Sequence, residues 1–199
     1  MIIERVYFQP KKGCWDAAIA AVKDEIVFSK KADPGFQADL FAASYGPLDE
    51  VVMQVEFENV TREDAFWTWW VAERGAAFSP KYDPLVTEVG RSELWNVFEP
   101  VPHAPRKKYV NWREFIAASG KMDAAAAFIT RGRSAMDIDV YLSNHGPSNR
   151  VVMALAFDDF NAYHKMWDEW GHEHMTPAFW AEWDSLTVPG GVNQIWEVI

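Results

Sequence analysis

The sequence predicts an α+β fold built from two βαββαβ repeats in one chain. Three observations predict it. The stretch Gly46-Pro47-Leu48-Asp49-Glu50-Val51-Val52-Met53-Gln54-Val55-Glu56-Phe57 returns 100 residues later as Gly146-Pro147-Ser148-Asn149-Arg150-Val151-Val152-Met153-Ala154-Leu155-Ala156-Phe157. The match persists into the next segment, where Trp67 and Trp70 correspond to Trp167 and Trp170. Strand-like and helix-like patterns also follow each other in the same order on both sides of a proline-rich stretch.

In the first half, Ile2 to Phe8 is β-branched and aromatic and reads as a strand. Pro10 to Gly13 turn the chain, and Trp15 to Val22 reads as a helix rich in alanine. Ser29 to Gly35, with Asp33-Pro34-Gly35, reads as a loop. Phe36 to Ala43 is a second strand, Gly46 to Glu50 a hairpin turn, and Val51 to Phe57 a third strand. Thr61, with Asp64 three residues on, is the expected cap of a second helix reaching about Glu73. Phe78 to Val89 reads as irregular or weakly helical, and Leu94 to Phe98 as the fourth strand.

Three prolines between Glu99 and Pro105 suit neither a helix nor a central strand, so a linker is expected over 100–107. It divides a first repeat, 1–99, from a second, 108–199. The second repeat reads as a strand over Tyr109 to Phe115, a helix over Asp123 to Ile129 and strands over Met136 to Ser143 and Val151 to Phe157. A helix over Asn161 to His174 and a strand over Gln194 to Ile199 complete it. This is the ferredoxin-like order. Its helices cover one sheet face, so the other needs a partner. The expected solution is two repeats packed through their sheets as a pseudo-dimeric α/β barrel.

Composition narrows the function. A net charge of −10 disfavours nucleic acid, whose phosphates call for cationic side chains. No apolar run is long enough to span a bilayer, and a strand pattern begins at Ile2, so a cytoplasmic protein is expected. A single cysteine, Cys14, excludes an intrachain disulfide within this sequence. Eleven tryptophans supply apolar surface in large pieces.

A tandem of βαββαβ units of this size resembles the dimeric α/β-barrel superfamily written as one chain. Within it, Gly46-Pro47-Leu48-Asp49-Glu50-Val51-Val52 resembles the turn-and-strand signature of NIPSNAP-like proteins. Phe179-Trp180-Ala181-Glu182-Trp183 resembles their segment after the second helix. Met53 and Met153 stand where family members usually carry a histidine, so no role for that histidine carries over. The resemblance implies a fold. It leaves open cofactor-free monooxygenase, haem-dependent enzyme and non-catalytic scaffold.

The third strands differ where chemistry is expected. Val51, Met53, Val55 and Phe57 match Val151, Met153, Leu155 and Phe157, and are assigned to the helix-covered core. The opposite faces read Val52, Gln54, Glu56 and Val152, Ala154, Ala156. A ligand site would there have Gln54, Phe41 and Tyr141 as contacts, room beside Ala154 and Ala156, and Glu56 as a general base, with Asp39 and Asp139 as further carboxylates. The alternative is an interior filled by Phe41, Tyr141, Trp112 and Trp196.

His164, Asp168 and His172 share one helical row and form a weaker metal candidate, beside a solvated polar face. His145 and His174 are the candidates for haem. Trp67, Trp70, Trp167 and Trp170 read as core. Cys14 has no neighbouring base and is not expected to be a nucleophile. The favoured expectation is a small-molecule-binding protein, oxygenase-like or isomerase-like, without a tightly bound cofactor. The partners expected are a small molecule and, as an open question, a second copy in a homodimer.

Overall fold

The computed structural model describes residues 1–199 except 47, 48, 88, 89, 102–106, 146 and 147. The expected turn residues Pro47, Leu48, Gly146 and Pro147, and most of the expected linker, therefore lie outside the described residues. The chain divides into two compact units. The first holds 1–43, 47–94 and Ile199; the second holds 44–46 and 95–198.

In the first unit, β1 (Ile2–Phe8), β2 (Gln37–Tyr45) and β3 (Val51–Phe57) form an antiparallel sheet with β3 in the middle. Ile199 extends the β2 edge by donating its amide to the Leu40 carbonyl at 3.0 Å. The sheet is covered by α1 (Trp15–Ala32), α2 (Val60–Trp70) and α3 (Ala76–Tyr82), with a π-helical turn, Val71–Gly75, joining the last two. β4 (Ser92–Val97) follows. In the second unit, β5 (Tyr109–Ala117) pairs with both β7 (Arg150–Phe157) and β8 (Thr187–Val198), and β6 (Ile138–His145) pairs with β7. Its helices are α4 (Met122–Thr130), α5 (Phe160–His174) and α6 (Pro177–Leu186).

The repeat is visible in individual bonds. Cys14 and Lys121 hold equivalent cap positions, and their carbonyls accept from Ala18 and Ala125 at 2.9 and 2.8 Å. The Lys11 amide donates to the Leu85 carbonyl at 2.8 Å, and the Ala118 amide to the Leu186 carbonyl at 2.8 Å. Gly90 and Gly191 let the chain pass close to β1 and β5: a Cβ would fall 1.4 Å from the Tyr7 oxygen and 2.1 Å from the Glu114 oxygen. The helix-facing cores are those expected: Val55 and Phe57 with Phe66 in one unit, and Leu155 and Phe157 with Tyr163 in the other.

Several boundaries differ from the sequence reading. α1 continues to Ala32, through part of the expected loop, and Asp33 caps it by donating its amide to the Ser29 carbonyl at 2.8 Å. Its buried stripe runs Ala18, Val22, Glu25, Ser29, and the two polar members conceal the helical period in the sequence. The cap of α2 is Asn59, whose side chain accepts from the Arg62 amide, while Thr61 lies inside the helix. Asp159 does the same for α5, accepting from the amides of Asn161 and Ala162. The stretch after the π-helical turn is helical to Tyr82, with Pro80 inside α3. β8 begins at Thr187, well before the expected Gln194. No described helix is long and apolar enough to cross a membrane.

Asp159→Ala removes two capping bonds from α5, and is expected to lower stability by about 1 kcal/mol. Urea denaturation followed by far-UV circular dichroism measures it.

Candidate functional site

The sheet face turned away from the helices carries the residues singled out in the sequence. In the first unit, Gln54 is in register with Arg5 on one side and Asp39 on the other, and Glu56 with Ile3 and Gln37. Phe41 is buried opposite Val52. Arg5 is 1% exposed, a cation buried within a largely apolar strand pattern that gives no sequence signal of its burial. In the second unit, Ala154 is in register with Trp112 and Asp139, and Tyr141 with Val152. The Trp112 ring stacks on Tyr141 at 5.3 Å and meets Trp95 edge-on at 5.6 Å. Trp95, Trp112 and Trp196 are all fully buried, so large rings take up the space beside Ala154.

A cavity of about 270 Å³ lies on the other side of the first unit's sheet, beneath its helices. Its walls are mostly apolar, with Val6 and Phe8 from β1, Met53 from β3, Val22 from α1, and Trp70 and Tyr82 from the later helical segments. Two polar side chains from the buried stripe of α1, Glu25 and Ser29, also face it. Glu25 is 7% exposed. Its carboxylate accepts from the Trp70 indole at 2.9 Å and from Arg74 Nε at 2.9 and 3.2 Å. The π-helical turn carries Arg74, whose guanidinium also lies 4.3 Å from the centre of the Phe28 ring. Such turns insert a residue into the helical ladder and re-aim side chains. Burial, with the Asp83 carboxylate beside it, pushes the Tyr82 phenol up.

The second unit carries larger rings at corresponding positions. Phe8 meets Tyr82 edge-on at 5.6 Å, and Phe115 meets Trp183 edge-on at 4.8 Å. Trp70 meets Phe78 as Trp170 meets Phe179, at 5.5 and 5.6 Å. Across this common frame, Ala21 stands where the second unit has Phe128, Tyr82 where it has Trp183, and Val6 where it has Arg113. Glu25 corresponds to Gly132, where a Cβ would already press on Met136 and Ile138 at 2.9 and 3.1 Å. Phe128, Phe179 and Trp183 pack together in the second unit at 4.8 to 5.4 Å. The first unit has Ala21 and Tyr82 at the positions of Phe128 and Trp183, and Tyr82 lines its cavity.

The remaining candidates are placed as follows. His164, Asp168 and His172 are exposed along α5, and among the described residues no three His, Cys, Asp or Glu side chains are grouped to hold a metal ion. His145 ends β6 and is exposed. His174 is exposed and lies 5.2 Å from the Trp170 ring. Trp67 with Trp70, and Trp167 with Trp170, are edge-on core pairs at 5.8 Å each. Cys14 is a free thiol at the start of α1.

No protein-family model and no curated protein matches the chain. Solved structures do. A "putative monooxygenase" from Lactobacillus acidophilus NCFM superposes with a TM-score of 0.68 at 12% identity, over 99% of this chain and 93% of its own. An anthrone oxidase-like protein superposes with a TM-score of 0.63 at 9% identity, over 100% of this chain and 91% of its own. The chain has the dimeric α/β-barrel fold in single-chain form. A NIPSNAP domain protein from Burkholderia xenovorans matches 53% of this chain and 99% of its own, at 17% identity and a TM-score of 0.42.

Arg74→Gln leaves the buried Glu25 carboxylate without its cation, and is expected to cost about 3 kcal/mol in urea denaturation, the low end for a pair whose cation is partly exposed. At the edge of the same helical layer, burial and the carboxylates of Glu4 and Asp64 push the Glu63 carboxyl up. The folded state then binds this proton more tightly than the unfolded chain does. Stability therefore falls as pH rises from the ordinary carboxylate range through the raised value. Glu63→Gln is expected to raise the melting temperature at neutral pH and to leave it unchanged well below pH ~4. Melting curves across that range check the sign.

Proposed function

We propose that the protein binds a small, largely apolar, ring-bearing molecule in the first unit's cavity and acts on it as an oxygenase-like enzyme of the cytoplasm. The observation that carries the binding is the emptied volume itself. In a unit of the same design, Phe128 and Trp183 stand in place of Ala21 and Tyr82 and pack ring against ring. Aromatic and aliphatic walls with a few polar groups are what a small-molecule site needs. Glu25, fixed by Trp70 and Arg74, is the acceptor that would orient a ligand hydroxyl or amide. The oxygenase class is suggested by likeness to an anthrone oxidase-like protein and a "putative monooxygenase", and these relatives share only the fold at this identity.

A second set of groups lies on the far face of the same sheet. Arg5 is wholly buried there, in register with Gln54 and on the same sheet face as Asp39 and Glu56. Asp39 and Glu56 form a second proposed acid–base set within the first unit, and Asp139 holds the place corresponding to Asp39 in the second, in register with Ala154.

The test copies the second unit's packing into the first. Wild type, titrated with anthrone and 1-naphthol and followed by tryptophan fluorescence, is expected to bind one of them saturably, at one site per chain. Ala21→Phe/Tyr82→Trp is expected to keep the fold and lose at least tenfold in affinity. Absence of binding in wild type, or binding unchanged in the double variant, would rule the cavity out. Oxygen consumption with the bound ligand separates turnover from binding.

A further inference from the structure

We propose that the second unit carries a separate binding site for a carboxylate, at the end of the Arg113 fork beside the Trp167 indole. The Arg113 side chain lies on the helix-facing side of β5. Its Nε donates to Asn111 Oδ1 at 2.8 Å and its Nη2 to the Tyr163 hydroxyl at 3.0 Å. The Tyr163 hydroxyl in turn donates to Asn111 Oδ1 at 3.0 Å, and Asn111 Nδ2 is held by Asn193 and the Gln194 carbonyl. The guanidinium lies 4.6 Å from the centre of the Trp167 ring. Its side edge is thus engaged by neutral oxygens, and among the described residues no carboxylate pairs with it. The end of the fork, Nη1 with the second hydrogen of Nη2, is the edge that takes a carboxylate bidentately.

Comparison with the first unit shows what is missing. There the position of Arg113 is Val6 and that of Asn111 is Glu4, so the fold does not require a cation at this place. Glu4 supplies a carboxylate that accepts from the indole N–H of Trp67, the counterpart of Trp167. In the second unit the Trp167 indole N–H is buried and meets no acceptor among the described residues. An orphaned buried donor and an unneutralised guanidinium side by side are two independent costs. A single ligand carboxylate would meet both. The first unit provides that carboxylate from its own chain, and the second leaves it to be supplied. The ligand class is a small carboxylic acid, since the neighbouring groups are one tryptophan ring and two neutral hydrogen-bonding side chains.

The test uses the full chain carrying Ala21→Phe/Tyr82→Trp, so that the first unit's cavity does not contribute. Isothermal titration with sodium benzoate, and separately with sodium phosphate, is run at fixed ionic strength. Benzoate is expected to bind saturably with about millimolar affinity or tighter. Arg113→Gln should abolish this, and Arg113→Lys, which keeps the charge and loses the fork, should weaken it about tenfold. In the protein with Arg113 intact, the indole proton of Trp167, assigned through Trp167→Phe, should shift on titration, a readout that survives even if an Arg113 variant fails to fold. No saturable benzoate binding, binding indifferent to Arg113→Gln, or saturation by phosphate alone would each overturn the assignment.

Discussion

The helix-facing side of each sheet has to be kept dry by the helices behind it, and the main differences between the units lie in how each meets that demand. Both begin from the same frame: equivalent helix starts, equivalent clasps at Leu85 and Leu186, and paired tryptophans at the same separation. In the second unit, Phe128, Phe179 and Trp183 fill the frame with rings. In the first, a cavity remains, lined in part by Glu25, whose carboxylate pairs with Arg74. Burying those charges is costly unless both are well bonded, and the two bonds from Arg74 and one from Trp70 provide that. The opening in the first unit therefore rests on a polar device that the second does without.

Tandem duplication removes the equality that two identical subunits would impose. Each copy of a position can then drift alone. Glu4 and Asn111, Val6 and Arg113, and Glu25 and Gly132 are pairs that hold corresponding positions and differ in charge. The helix-side layer of the first unit has become carboxylate-bearing, and that of the second presents a guanidinium. Fold and local chemistry have separated, which is why a shared architecture says little about a shared reaction.

Much of the architecture was legible because the strands alternate cleanly and the third strand repeats almost letter for letter. The inward and outward faces of β3 and β7 follow from that alternation alone. The cavity was hidden for a physical reason. Glu25 and Ser29 interrupt the apolar stripe of α1, so the sequence ends that helix early and misses the two polar groups that face the void. Arg113 and Arg5 are similarly masked, because a cation inside a strand pattern reads as outward-facing. The ring packing of the second unit depends on Trp183 and Phe128, residues far apart in sequence whose meeting only the packing reveals.

One bond ties the order of synthesis to the order of assembly. The β2 edge of the first unit is extended by Ile199, through its amide to Leu40. On a ribosome, Leu40 emerges long before Ile199 exists, so the first unit waits with that edge unsatisfied while the whole second unit is made. An exposed strand edge is an invitation to pair with a stranger. The protein is thus most exposed to wrong association in the interval before residue 199 arrives, and a crowded polysome, where many such edges wait together, is the setting in which that hazard is greatest.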